Sequence, residues 1–274
     1  MIEIKNLTFS YKKNNVLFDN LNLTLPVGNI YGLLGKNGAG KTTLLKHIAG
    51  LLSPKSGECL IFGTPSRYRI PAILNNIFLI PEEFELPSIK MKDFVSIHKP
   101  FYSQFNMDMY EKYLEEFQIT GNPKLTTMSY GQKKKFIIAF GLATCTKILL
   151  LDEPTNGLDI PSKSQFRKII ASSMTDDRSL VISTHQVRDL ASLIDYIVIV
   201  DNGRIIFNRS LVEIASKISF TQSKDISDLD VLYAEDILGG KAAIHLKNSE
   251  ETDIDIEILF NGVVAGSEKF NNIF

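Results

Sequence analysis

The chain contains Gly35-Lys36-Asn37-Gly38-Ala39-Gly40-Lys41-Thr42-Thr43, a stretch that fits the pattern G-x-x-x-x-G-K-[ST] of a phosphate-binding loop. Residues 30–34 predict a short buried strand before it, and residues 44–49 predict the start of a helix after it. Glycines let the backbone curl so that its N–H groups face phosphate oxygens, and the positive end of the helix dipole lies at the same place. We expect Lys41 to reach the β- and γ-phosphates and the Thr42 hydroxyl to bind magnesium. The alternative is a glycine-rich turn that merely precedes a helix.

Two further apolar runs end in residues that can do chemistry. Residues 148–151 are Ile-Leu-Leu-Leu and lead into Asp152-Glu153, while residues 180–183 predict another buried strand shortly before His185. Such runs are typical of strands buried on both faces of a parallel sheet, whose carboxyl ends meet at one edge. We therefore expect Asp152 to hold magnesium, Glu153 to orient and deprotonate the attacking water, and His185 to donate to a γ-phosphate. Taken alone, these residues also fit a solvated strand exit and a capping histidine.

Length and composition limit the class of protein. The chain has 274 residues, 44% hydrophobic content and a net charge of −1, which suits one large domain, or one domain with a small appendage, and does not indicate nucleic acid as a partner. No apolar run approaches the ~18 residues of a membrane span, and residues 1–5 have no apolar signal region. We expect a cytoplasmic protein that works at a membrane only through another chain. The isolated Cys59 and Cys145 fit a reducing compartment.

The remaining pattern predicts additions to the parallel core. Alternating apolar residues within 2–25 predict an antiparallel hairpin, and residues 84–145 predict a mainly helical insertion. A short helix is expected at residues 186–193. After residue 215 the sequence pattern changes to short segments in which apolar and polar residues alternate. This pattern predicts a small C-terminal extension over residues 216–274.

In their order and spacing, these motifs resemble those of the nucleotide-binding subunit of an ATP-binding cassette (ABC) transporter. Gly35–Thr42 and Leu149–Glu153 match that family's two phosphate and magnesium motifs. Met128-Ser129-Tyr130-Gly131-Gln132 is similar to its signature motif, usually Leu-Ser-Gly-Gly-Gln. Asn156-Gly157-Leu158-Asp159 resembles its D-loop, and Thr184-His185 resembles its switch histidine.

The resemblance covers about residues 1–215 and implies a fold and an assembly. The fold is α/β, with a P-loop NTPase core on a mainly parallel sheet, an N-terminal antiparallel β hairpin layer, the helical insertion and a small C-terminal α+β extension. Two copies, or this chain and a related cassette, would dock head to tail around two ATP molecules. Ser129 and Gly131 of one copy would cap the γ-phosphate held by Lys41 of the other, and Asp159 would couple the two sites.

The expected site therefore has three sets of residues, with ATP and Mg²⁺ as its cofactors. Contacts with ATP are expected from Tyr11 (stacked on adenine), Gly35, Asn37, Gly38, Ala39, Gly40, Lys41, Thr42, Thr43, Ser129, Gly131, Gln132 and Asp159. The catalytic residues are Glu153 and His185. Magnesium is expected at Thr42, Glu82 and Asp152.

Three positions depart from the family's pattern. Glu82 stands where the family usually has a glutamine that senses magnesium and relays to the membrane subunit. Tyr130 replaces a signature glycine, so its backbone must avoid a positive φ. The run Lys133-Lys134-Lys135 follows the signature, and a solvated helix face is the simplest interpretation of it.

The resemblance implies an ATPase that drives a separate transmembrane permease from the inner face of the cell membrane. The C-terminal extension and Glu82 favour export over import. Two alternatives come from other classes: a soluble ABC ATPase that acts on ribosomes or DNA, and a regulatory cassette that does not hydrolyse ATP. The presence of Glu153 argues against the second alternative.

Overall fold

The computed structural model describes residues 1–12, 15–247 and 252–274. The strands are β1 (Ile2–Phe9), β2 (Phe18–Leu25), β3 (Ile30–Leu34), β4 (Ser56–Ile61), β5 (Thr64–Pro65), β6 (Ile77–Ile80), β7 (Ile148–Asp152), β8 (Ser179–Thr184), β9 (Tyr196–Asp201), β10 (Arg204–Ser210), β11 (Ile218–Ser223), β12 (Val231–Ile237) and β13 (Gly240–Leu246). The helices are α1 (Lys41–Ile48), α2 (Pro71–Leu74), α3 (Met91–His98), α4 (Met107–Glu116), α5 (Tyr130–Ala143), α6 (Ile160–Ser172), α7 (Leu211–Lys217) and α8 (Ile256–Asn271).

A six-stranded sheet forms the centre, in the order β10-β9-β3-β8-β7-β6. All its neighbours pair in parallel except β10, which runs antiparallel along one edge. Within β7, Leu149 and Leu151 belong to the apolar cluster on one face, and Ile148 and Leu150 belong to the cluster on the other. A strand covered on both faces needs apolar side chains at every position. The predicted α/β fold with a mainly parallel sheet is confirmed.

The register of the sheet brings the chemically important strand ends to one edge. Leu34 pairs with Thr184 across β3 and β8, and Asp152 pairs with Ser183 across β7 and β8. On the far side of β7, Ile80 of β6 pairs with Leu151. The loops that follow these four strands therefore begin side by side.

The N-terminal layer is larger than the predicted hairpin. It is an antiparallel sheet in the order β2-β1-β4-β5, because β4 also pairs with β1. The insertion is helical, as expected, and contains α3, α4 and α5. Helix α5 is its longest helix and ends just before β7.

The helix expected at residues 186–193 is wrong: the structure has only a 3-10 turn at Val187–Asp189. The reason lies in contacts with β3. Asp195 N–H donates to the Ile30 carbonyl, and Ile30 N–H donates to the Asp195 carboxylate, at 2.8 Å each. These bonds fix the chain beside β3 at the start of β9, a long-range contact that the local pattern does not contain.

The C-terminal residues form the antiparallel sheet β11-β13-β12, against which α8 packs. The carboxylate of Asp255 accepts bonds from Glu257 N–H and Ile258 N–H, so it caps the N-terminus of α8. Leu259 and Val263 of α8 are buried in the same apolar cluster as Phe207 of β10. Within the described residues, none of the helices has the length and apolar character needed to span a bilayer.

Candidate nucleotide-binding and hydrolysis site

A cavity of about 490 Å³ lies at the edge where the strand ends meet. Eleven of the sequence-predicted site residues line it: Tyr11, Asn37, Gly38, Gly40, Lys41, Thr42, Thr43, Glu82, Asp152, Glu153 and His185. Asn15 and Leu17 also line it and were not predicted. Gly35 and Ala39 belong to the same loop but are not among the residues that line the cavity.

The loop between β3 and α1 requires glycine at two positions for different reasons. A Cβ on Gly35 would lie 2.5 Å from the Val200 carbonyl oxygen, because β9 passes directly behind the loop. Gly40 has φ of 111° and precedes the first residue of α1, and no side chain caps that helix. The first N–H groups of α1 therefore stand at the cavity, together with the positive end of the helix dipole. This arrangement suits a phosphate.

Lys41 places a cation at the same end of the cavity. Its Nζ donates to the carbonyl oxygens of Gly35 at 2.7 Å and Lys36 at 3.3 Å, and lies 3.8 Å from Glu153 Oε1. The side chain is buried, and this burial lowers the pKa of Lys41, while the nearby carboxylates of Glu153 and Asp152 act in the opposite direction. A desolvated ammonium that bonds mainly to carbonyls can still gain from an anionic ligand.

Asp152 and Thr42 form the candidate magnesium centre. The Thr42 hydroxyl donates to Asp152 Oδ2 at 2.7 Å, and the Ser183 hydroxyl donates to Asp152 Oδ1. Hydroxyl and carboxylate oxygens are ligands that Mg²⁺ prefers, and in nucleotide sites it usually takes few protein ligands and fills its shell with water and phosphate. Among the described residues, no group of three or more His, Cys, Asp or Glu side chains is placed to hold a metal ion.

Glu153 is held from several sides at the end of β7. Its backbone has φ of 45°, a left-handed conformation that is uncommon for a residue other than glycine. Its N–H donates to the Ser183 carbonyl at 3.0 Å, and its carboxylate accepts from the Thr184 hydroxyl at 3.1 Å. Its Oε1 lies 2.8 Å from His185 Nδ1.

The bond to Glu153 defines what His185 can do. Because a carboxylate only accepts, His185 Nδ1 carries the proton in this bond. Donation from the ring to a γ-phosphate then requires either a second proton on Nε2 or rotation of the ring away from Glu153. His185 and Glu153, the two predicted catalytic residues, are thus in direct contact.

Glu82 lines the same cavity as the phosphate loop. Its Oε1 accepts a bond of 2.8 Å from Asn156 Nδ2 in the D-loop. Asn156 Oδ1 in turn accepts from Gln186 Nε2 at 3.2 Å. Sequence reasoning missed Asn156, although its place in the D-loop, close after Asp152-Glu153, was a signal.

The interpretation of Lys133-Lys134-Lys135 as a solvated helix face is wrong for its middle residue. Lys134 is fully buried, and its Nζ donates to the Glu153 carbonyl at 2.7 Å. Lys133 and Lys135 are half-buried on other sides of α5. Charge patterning alone cannot separate these three residues, because helical rotation and the packing of α5 on the site decide which of them turns inward.

Besides Gly35 and Ala39, four of the predicted ATP contacts are absent from the lining of this cavity: Ser129, Gly131, Gln132 and Asp159. Ser129 begins α5, and its hydroxyl and N–H form a capping box with Gln132. Asp159 begins α6 and accepts from Ser162 N–H at 3.0 Å. Ser129 and Gln132 are exposed, so they are accessible to a ligand held by another molecule.

Tyr11 lies at the mouth of the cavity. Its ring is mostly exposed, at 62%, and its hydroxyl lies 3.0 Å from Thr43 Oγ1 at the start of α1. Phe9 supports the ring edge to face, with the centroids 4.9 Å apart. An exposed aromatic face beside the phosphate loop suits a nucleotide base.

With this geometry established, comparison with known proteins identifies the class. Residues 18–156 match the sequence pattern described as ABC transporter. The chain is 32% identical over 222 residues to the lantibiotic transport ATP-binding protein SrtF of Streptococcus pyogenes, a match that covers 76% of this chain and 90% of that protein. The chain therefore belongs to the ABC transporter family and is an ATP-binding cassette.

Solved structures agree with this assignment. The cassette cbiO1 from Clostridium perfringens, part of the ABC transporter complex cbiONQ, is 25% identical with a TM-score of 0.64, over 78% of this chain and 89% of that one. The cassette MJ0796, in a dimeric post-hydrolysis state bound to ADP and Pi, shares the fold with a TM-score of 0.68 at 23% identity, over 77% of this chain and 99% of that one.

Proposed function

We propose that the chain binds ATP with Mg²⁺ and hydrolyses it within a head-to-tail dimer, and that dimer closure drives a separate transmembrane permease. One observation carries this proposal. The cavity collects the phosphate loop, Asp152, Glu153 and His185, whereas Ser129 of the signature lies outside it and is exposed. A second cassette that brings its own Ser129 would complete the site.

The chemistry follows from the residues that line the cavity. Lys41 and the N–H groups of α1 bind the phosphates, and Thr42 and Asp152 hold magnesium, which neutralises phosphate charge when bound. Glu153 takes a proton from the attacking water, since its carboxylate lies 3.8 Å from Lys41 Nζ, beside the expected position of the γ-phosphate. His185, bonded to Glu153, orients that carboxylate.

An apolar groove supports the permease as partner. It has a volume of about 420 Å³ and lies between the core and the helical insertion, with Leu51, Leu74, Leu79, Phe101 and Tyr102 in its lining. The ring of Phe101 is 66% exposed, which is unusual for so large an apolar side chain. A groove of this kind suits an amphipathic helix from a membrane subunit.

Three other aromatic residues of the insertion have partners within this chain. Phe94 is buried, Phe105 packs on Phe140, and Phe84 stacks on Tyr130. These side chains form the insertion's own packing. The docking proposal therefore rests on Phe101 and Tyr102.

We further propose export as the direction, a place on the inner face of the membrane through the permease, and no nucleic-acid partner. Residues 1–215 would form the ATPase domain, and residues 216–274 an extension with a dimerising role. Export rests on the extension and on Glu82, whose charge replaces the family's amide.

The test uses Glu153→Gln, tagged and produced in the native cells. We expect ATP hydrolysis to fall at least about 100-fold while ATP binding persists, and a multi-span membrane protein to co-purify in mild detergent when ATP is added. Glu83→Gln is the control, because Glu83 is an exposed acid on the Glu82 loop. Hydrolysis as fast as wild type would overturn the role of Glu153.

The identity of the co-purified material tests the partner. Ribosomes or DNA-bound proteins without a membrane partner would instead favour the soluble ABC ATPase. Adding Phe101→Asp to the tagged Glu153→Gln chain should abolish co-purification of the membrane protein and leave ATP binding unchanged. Val212→Asp, at an exposed apolar residue of α7, is the matched control. Equal capture by both variants would exclude this groove as the dock.

A further inference from the structure

Lys134 is a buried cation to which neither the family's motifs nor the proposed function assigns a role. It lies in the second turn of α5 and is fully buried, whereas its neighbours Lys133 and Lys135 are half-buried. Its Nζ donates to the Glu153 carbonyl at 2.7 Å and lies 5.7 Å from the centre of the Tyr130 ring. Among the described residues, this carbonyl is its one hydrogen-bond acceptor.

This placement is costly for stability. Burial lowers the pKa of Lys134, and the carboxylates of Glu82, Glu153 and Asp152 oppose that shift without any of them forming an ion pair with it in the described structure. A buried ammonium with one neutral acceptor loses more hydration than it regains in hydrogen bonding. An apolar residue of similar length would fill the same space at a smaller cost in folding free energy. The presence of a cation here therefore indicates a functional reason.

The acceptor of this bond indicates what that reason is. Glu153 has a left-handed backbone with φ of 45°, and such a conformation persists only where surrounding bonds impose it. Ser183 fixes the N–H side of Glu153 from β8, and Lys134 fixes the carbonyl side from α5. Together they hold the backbone from which the Glu153 carboxylate projects.

We propose that Lys134 is a positioning residue, which holds the backbone of Glu153 so that its carboxylate faces the γ-phosphate. The proposal rests on the proposed function, in which Glu153 is the general base. It has a consequence for the dimer. Ser129 lies at the start of α5, the helix that carries Lys134. In the dimer, α5 would contact the ATP held by the other copy through Ser129. Through Lys134, the same helix is bonded to Glu153 of its own copy, the base that acts on the second ATP.

The test measures kcat and KM for ATP of Lys134→Met, with Lys133→Met as the matched control on the same helix. We expect kcat of Lys134→Met to fall about ten- to a hundredfold, as for the loss of a charged hydrogen-bond donor, with KM within about twofold because no phosphate contact changes. Lys133→Met should retain both constants. Binding of a fluorescent ATP analogue at one molecule per chain identifies folded protein.

A second background separates positioning from general damage. In Glu153→Gln, the residual rate should fall little further on adding Lys134→Met, because Lys134 acts through Glu153. Lys134→Arg, which keeps a charged donor, should recover most of kcat. If the Met variant does not fold, Lys134→Gln replaces it, since its amide is one bond shorter and cannot reach the carbonyl.

Three outcomes would overturn the proposal: a folded neutral variant with kcat within about twofold of wild type, a loss confined to KM, or an equal loss in the Glu153→Gln background. A wild-type chain without ATPase activity, alone and with its permease, would overturn the proposed function instead.

Discussion

The hydroxyl of Tyr130 donates a 2.8 Å hydrogen bond to the backbone carbonyl of Glu82. These are the two residues that replace a glycine and a glutamine of the family's pattern, and they are in contact. Tyr130 is the first residue of α5 and has no positive φ, so its backbone avoids the strain that a tyrosine would suffer there. Its ring also packs against Phe84 and against Gly157, where an added Cβ would lie 2.8 Å from the ring.

Tyr130→Phe tests this contact through stability. The substitution keeps the ring and removes one hydrogen bond, so we expect the free energy of unfolding to fall by roughly 1 kcal/mol. Urea unfolding measures it, with Tyr68→Phe as control because Tyr68 is exposed. An unchanged midpoint for Tyr130→Phe would show that water replaces the Tyr130 hydroxyl as donor to the Glu82 carbonyl without loss of stability.

Asp152→Asn tests the magnesium centre. The amide keeps the size of the side chain but removes the charge that accepts from Thr42 and Ser183. We expect the Mg²⁺ concentration needed for half-maximal hydrolysis to rise at least about tenfold. Asp177→Asn, at an exposed acid, is the control. An unaltered Mg²⁺ requirement in Asp152→Asn would exclude this residue as a ligand.

We expect the substitution Lys41→Met to have two effects. Without Lys41 the protein should lose most of the rise in Tm that ATP produces, because binding of the native state alone stabilises it. The second effect concerns pH without nucleotide. Burial lowers the pKa of Lys41 from 10.5, so between the lowered pKa of the folded chain and 10.5 the unfolded chain holds a proton that the folded chain releases. The stability of wild type relative to Lys41→Met should therefore rise with pH in that range.

Thermal unfolding between pH 7 and pH 10 measures both effects. Lys46→Met is the control, because Lys46 is a half-buried lysine on the same helix. A relative stability that falls with pH would contradict the direction of the Lys41 shift.

Leu259→Ala tests whether residues 216–274 unfold with the rest of the chain. Leu259 is fully buried in the apolar cluster that also contains Phe166 and Phe207. We expect a loss of roughly 2–5 kcal/mol in a single cooperative transition. Leu238→Ala, at a fully exposed leucine, should change nothing measurable. Two separate transitions, with only one shifted by Leu259→Ala, would establish the extension as an independent unit.

Much of the candidate phosphate site was predictable because its parts are local in the chain. The glycine loop stands between one strand and one helix, and Asp152-Glu153 follows directly after β7. In a parallel sheet, the carboxyl ends of the strands share one edge, so recognising the strands was enough to predict that Lys41, Asp152 and His185 line one cavity. The roles of these residues stay predictions that the experiments above address.

What escaped prediction depends on contacts between distant segments. The pattern at 186–193 fitted a helix, but the chain forms only a 3-10 turn there, and just after it Asp195 is bonded to the distant Ile30. The three lysines after the signature look alike in sequence, yet only Lys134 faces Glu153. Ser183, which donates to Asp152, appeared only as part of a buried strand.

The sequence by itself determined the α/β fold, the phosphate loop and the acidic strand end, because strand, turn and helix signals act over a few neighbouring residues. Only the tertiary structure decided that Lys134 is buried with its ammonium bonded to the Glu153 carbonyl. The same holds for the bond from Tyr130 to the Glu82 carbonyl and for the position of Ser129 outside the cavity of its own chain. The physical reason is that the orientation of α5 against the sheet is set by packing, and a rotation by one residue would bury a different lysine.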